Sequence, residues 1–142
     1  MSLPETLDQH AGEKRTETCT AYLRSSAQAR QIAEGYLSVL SPRPAPETVD
    51  MVMLVVSELV TNALQHAGGV TDFALGSSRG VLHITVSDPS TRLPRERTPD
   101  LTGSDTKPAG GFGWPLIRHF ASELSLHLGR RGGKTIRATL AL

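Results

Sequence analysis

One cysteine, Cys19, stands in 142 residues. A single thiol excludes an internal disulfide and any zinc site built from several cysteines. Charge of either sign is nearly balanced, with 15 basic and 14 acidic residues and a formal net charge of +1. That balance argues against a protein whose main work is to coat nucleic acid. Uninterrupted apolar runs are short, well under the ~18 residues of a membrane span. The opening stretch MSLPETLDQHAGEKR has no apolar h-region, so no signal peptide is expected and the expected compartment is the cytoplasm. A hydrophobic fraction of 38% with 20% charged residues fits a soluble globule of one domain.

The small net charge hides a gradient. Residues 1–20 are acidic on balance, whereas Arg118, Arg130, Arg131, Lys134 and Arg137 face one acid, Glu123, over the last 25 residues. A basic end of this kind suits an acidic partner or phosphates. It equally suits a solvated strand edge protected against aggregation.

Residues 1–17 read as a flexible leader and 18–142 as the folded domain. A short strand is expected over Thr18–Leu23. Apolar Ala29, Ile32, Ala33, Tyr36, Leu37 and Leu40 recur at helical spacing, predicting a helix over Ser26–Leu40. The prolines of Ser41–Glu47 end it. Thr48 is the expected N-cap of a second helix running to Ala67, stopped by Gly68-Gly69. Strands are expected over Val70–Ser77 and Val81–Ser87, with Ser78-Arg79-Gly80 as the turn. Pro89–Gly111, with four prolines and three glycines, is too long for an ordinary connection and reads as a functional or disordered loop. A helix from Gly113 to about Ser122 and a hairpin of Leu124–Leu128 with Thr135–Leu142 close the chain. The order predicts an α+β fold, a mostly antiparallel sheet with helices packed on one face.

Three segments carry candidate chemistry. In the second helix Glu58, Asn62 and His66 fall at roughly 0°, 40° and 80° around the axis, flanked by Thr61 and Gln65. The wedge either faces water or forms a site. Its low charge favours a site, because solvent faces usually carry Lys, Arg and several Glu. Asn supplies a neutral oxygen suited to Mg²⁺, and Glu one turn away can take or orient a proton. In VLHITVSD, Asp88 continues the apolar row of Leu82, Ile84 and Val86. It either caps the turn at Pro89-Ser90 or accepts a hydrogen bond from a ligand amine such as that of adenine. Finally, Gly110-Gly111-Phe112-Gly113 opens a helix, a place where backbone N–H groups hold phosphates, although glycines alone also make a hinge. Neither the Walker pattern nor the dinucleotide fingerprint is present.

In this order, SELVTNALQHA, a strand ending in SDPS and a long loop closing on GGFGWPLI resemble the Bergerat-type (GHKL) ATP-binding domain, a two-layer α/β sandwich. The stand-alone branch of anti-sigma factor serine/threonine kinases is the one this chain is most similar to, over about residues 19–142. Arg24–Arg30 also looks like that branch's first helix. The resemblance implies that Glu58 is the catalytic carboxylate and that Asn62 is the Mg²⁺ ligand. It places His66 near the nucleotide, Asp88 at the adenine amine, residues 89–112 as the ATP lid, and Gly111 and Gly113 beside the phosphates. Thr135 matches a threonine supporting the adenine end. ATP and Mg²⁺ are the implied cofactors, and an anti-anti-sigma (STAS-type) protein or a sigma factor the implied partner. A homodimer is compatible with that branch, and neither nucleic acid nor membrane is bound directly. The implied function is phosphorylation of the anti-anti-sigma partner and sequestration of the sigma factor. The alternative is a partner-binding switch that holds nucleotide without chemistry. The chain departs from the larger family at Asp88-Pro89-Ser90-Thr91-Arg92, where that family has Asp-x-Gly-x-Gly, and at Trp114-Pro115.

Overall fold

The computed structural model describes residues 15–19, 23–91 and 113–142. These form one five-stranded antiparallel sheet in the order β1-β2-β3-β5-β4. The strands are β1 (Arg15–Cys19), β2 (Asp72–Ser78), β3 (Val81–Asp88), β4 (Glu123–Leu128) and β5 (Lys134–Ala141). Helices α1 (Ser26–Ser38), α2 (Pro46–His66) and α3 (Gly113–Phe120) complete the described fold. The α+β class expected from the sequence is the class observed.

Ser25 caps α1 by accepting a hydrogen bond from the Gln28 amide at 3.2 Å. Its apolar stripe of Ala29, Ala33, Tyr36 and Leu37 is buried. Tyr36 and Ser77 share a buried hydroxyl–hydroxyl hydrogen bond of 2.6 Å, which ties α1 to β2. The second helix begins earlier than Thr48: Ala45 is the N-cap, without a side-chain bond, and Pro46 stands in the first position. Proline there has its φ already set and gives up an N–H that the helix does not use. α2 lies between α1 and α3 and against β3. Val52, Val55, Val56, Leu59, Val60 and Ala63 are its buried residues, which accounts for its apolar character.

The β2–β3 turn is tighter than the sequence suggested. Ser78 pairs with Val81, so only Arg79 and Gly80 form the loop, both at positive φ (52° and 79°). That is the geometry of a two-residue turn matched to strand twist. The first strand lies at Arg15–Cys19 rather than Thr18–Leu23, in register with β2 from Arg15↔Ser77 to Cys19↔Phe73; residues 20–22 lie outside the described residues. RTETC offers no apolar alternation, and its place is fixed by pairing with β2. The last helix ends at Phe120, two residues before Ser122.

Strand alternation divides the sheet's faces. Leu82, Ile84 and Val86 of β3 and Ile136, Ala138 and Leu140 of β5 are buried in the core with the helices. Among the described residues no helix is long and apolar enough to cross a membrane. Residues 1–14 and most of the expected lid, 92–112, lie outside the described residues.

Candidate functional site

Three chain segments converge at one end of the sheet. The end of α2 turns through Gly68 and Gly69, whose amide donates to the Ala63 carbonyl at 2.9 Å. Gly68 has φ +85°, and a Cβ there would lie 3.2 Å from the Pro89 ring. The helix end is thereby pressed against the residues following β3. From the other side, β5 begins at Gly133-Lys134. Gly133 has φ +83°, and a Cβ on it would meet the Asp88 carbonyl oxygen at 2.8 Å. Only glycine accommodates both that backbone angle and that approach.

Asp88 and Lys134 are directly opposite in the β3–β5 register. Both side chains point into the apolar layer and are almost fully buried (2% and 4% exposed). Lys134 Nζ donates to Asp88 Oδ1 at 3.0 Å. The Ser90 amide donates to the same oxygen at 2.8 Å. The turn-capping role weighed for Asp88 is therefore real, and an ion pair accompanies it. Two opposite charges taken out of water together are tolerable where either alone costs several kcal/mol.

Lys134 is the residue that charge composition hides: it belongs to the basic end of the chain, yet it occupies the inward row with Ile136, Ala138 and Leu140. Strand alternation puts Lys134 inside just as it does Asp88. Thr135 is on the opposite face, where its hydroxyl shares a 2.8 Å hydrogen bond with that of Ser87. Period-two alternation thus separates Thr135 from Asp88, and the expected support of an adenine end by its side chain is not what the geometry brings together.

On α2, Glu58, Thr61 and Asn62 are half-buried, and Gln65 and His66 are exposed. The polar wedge forms the helix's open side, opposite the buried valines. Burial pushes the Glu58 carboxyl above the ordinary carboxylate value, because leaving water disfavours its charged form. Just before Glu58, Ser57 accepts a 2.9 Å hydrogen bond from Arg30 Nη1, which also reaches Ser26 at 3.2 Å. That bridge fixes α1 against the Glu58 turn of α2. Roughly 6 Å of helix separates Asn62 from His66, the last residue of α2. His66 closes α2, two residues from Gly68. Gly113 opens α3 as expected, and Gly111 lies outside the described residues.

Asn62 offers one neutral carboxamide oxygen, one helical turn from the Glu58 carboxylate. A single neutral oxygen suits Mg²⁺, which keeps most of its waters and takes few protein ligands. No cluster of three or more His, Cys, Asp or Glu able to hold a metal exists among the described residues, so a cation here draws its remaining ligands from water and a bound anion.

Residues 19–140 match the model of the histidine kinase-like ATPase domain. The anti-sigma F factor of Geobacillus stearothermophilus is 27% identical over 101 residues, covering 66% of this chain and 69% of that protein. The anti-sigma F factor of Geobacillus kaustophilus (strain HTA426) aligns with the same identity and coverage. With a match spanning most of its length, and with the helix-and-sheet arrangement described above, this chain belongs to the histidine kinase-like ATPase domain family.

Proposed function

We propose that this protein is an ATP-binding regulator of the anti-sigma factor type. In this reading it phosphorylates a serine or threonine of a small anti-anti-sigma partner and, alternatively, holds a sigma factor. The observation that carries the reading is the placement of Glu58 and Asn62. They share the half-buried side of a helix whose opposite face is packed in the core and whose C-terminal end lies against Pro89, next to Asp88. The family match and the two anti-sigma F factor relatives support it.

Asp88 holds the base through its carboxylate, and the α2 wedge lies toward the phosphates. Asn62 is the residue that would hold Mg²⁺ through its carboxamide oxygen. Bound there, the cation neutralises phosphate charge. Glu58, made more basic by burial, accepts the proton of the partner's hydroxyl. That hydroxyl oxygen bonds to the γ-phosphorus, the bond from phosphorus to the bridging oxygen breaks, and ADP leaves. Positioning and electrostatics supply most of the acceleration in such a transfer. Gly111 and Gly113, with residues 89–112 as a lid, complete the proposed phosphate end.

A titration with a fluorescent ATP analogue, with and without Mg²⁺, tests the binding half. Metal-dependent binding that disappears in Asn62→Ala supports the reading, and wild-type binding indifferent to Mg²⁺ removes Asn62 from it. Transfer of radiolabelled phosphate to a cognate partner tests the chemistry. Tight binding with no transfer would leave the non-catalytic switch.

A further inference from the structure

Every charged group in the described interior has to be justified, and the Asp88–Lys134 pair is used only in half by the reading above. Among the described residues the Asp88 carboxylate is bonded through Oδ1, which accepts from Lys134 Nζ at 3.0 Å and from the Ser90 amide at 2.8 Å. Oδ2 is the oxygen left to accept from a ligand. An ammonium has three N–H donors and no acceptor, and one of the three is spent on Oδ1. The pair therefore presents an acceptor beside a donor, both held by the β3–β5 ladder and by the close approach at Gly133.

We propose that Lys134 is a specificity-determining residue of the base site, donating a hydrogen bond to N1 of adenine while Asp88 accepts from the 6-amino group. The inference rests on the nucleotide reading above and goes beyond it by assigning the second half of the base's edge. Adenine offers a donor at its 6-amino group next to an acceptor at N1. Guanine reverses both, with an acceptor at O6 and a donor at N1. An aspartate oxygen alone accepts from either base. The lysine donor breaks that tie, because an ammonium facing the N1–H of guanine leaves two donors opposed. A site built to hydrogen-bond one polar edge rejects the analogue that lacks it more strongly than an apolar pocket can.

The test uses the wild-type protein and two triphosphates, ATP and its 1-deaza analogue, in which a C–H replaces N1 and the amine remains. The expected result is binding of the 1-deaza compound at least tenfold weaker than ATP, with the gap reduced below threefold in Lys134→Met. Because that variant leaves Asp88 without its partner, a second measurement needs no substitution. The chain has three lysines, so lysine-selective ¹⁵N labelling yields few side-chain ammonium signals. The Lys134 signal, assigned through its own side-chain carbons, shifts with ATP and shifts by less than half as much with the 1-deaza analogue at saturation. Equal affinity of the wild type for the two compounds, or an ammonium signal shifted alike by both, overturns the assignment of Lys134 and leaves the ATP site standing. A wild type that binds neither compound overturns the nucleotide reading together with it.

Discussion

The Asp88–Lys134 end of the sheet and the Glu58–Asn62 wedge of α2 both place polar chemistry against the core, and they resolve the cost in opposite ways. Asp88 and Lys134 are nearly sealed and neutralise each other across adjacent strands. Glu58 keeps part of its water, has no ion-pair partner among the described residues, and is made more basic instead. Recognition of a fixed ligand edge needs groups held in one geometry, which buried pairing provides. On the proposed reading Glu58 accepts a proton, and a carboxylate raised above its ordinary value by burial is the better acceptor.

The largest effect separating the two regions should come from Lys134→Met. It leaves the Asp88 charge buried and unpaired, and unfolding by urea should show a loss of about 3–5 kcal/mol. Replacing both partners, Asp88→Leu with Lys134→Met, should recover most of that loss, since a buried pair exchanged for apolar side chains is often near neutral. If the single variant is as stable as wild type, the charges are not sealed and the contrast fails.

Gly133→Ala comes next. Its Cβ would sit 2.8 Å from the Asp88 carbonyl oxygen, on a residue with φ +83°. A loss of about 1–3 kcal/mol is expected from the strained backbone, visible as a lower melting temperature, together with weaker nucleotide binding as β5 moves away from β3.

Asn62→Ala should leave stability within about 0.5 kcal/mol of wild type, since its side chain bonds to nothing among the described residues, while the Mg²⁺-dependent part of ATP affinity disappears. A large stability loss would instead make Asn62 part of the packing.

The smallest effect has a pH signature. Below the ordinary glutamate value, Glu58 is protonated in both the folded and unfolded chains and resembles glutamine. As pH rises through the raised folded value, the native state must carry a partly desolvated charge and loses stability. Glu58→Gln should therefore melt above wild type at neutral pH, and the gap should close as pH falls toward the ordinary value. A gap that is constant with pH would place the gain elsewhere. Phosphate transfer should fall in the same variant, so stability and chemistry move in opposite directions.

Much of this was legible along the chain, because periodicity reports burial. The valines of α2, the inward row ending at Asp88, and the glycine stops after His66 follow from the spacing of apolar residues. Element ends were less legible: Pro46 competes with Thr48 as a helix start, and the better choice depends on how the chain leaves α1. The polar strand β1 carries no apolar alternation, so only its partner β2 reveals it. In the site, Glu58 and Asn62 are neighbours by helix geometry alone, and the sequence locates them together. Thr135 enters the expected site through the family resemblance alone, and strand alternation turns its side chain to the face opposite Asp88.

The sequence by itself determined which residues face inward, since the periods of helix and strand are local properties of the backbone. It also placed the three chemical segments in their family order. Only the tertiary structure decided which inward charges meet. Asp88 and Lys134 are 46 residues apart, and their pairing depends on the β3–β5 register and on a glycine that lets two backbones touch. A lysine reads as a surface residue until the strand beside it supplies the carboxylate that makes its burial tolerable.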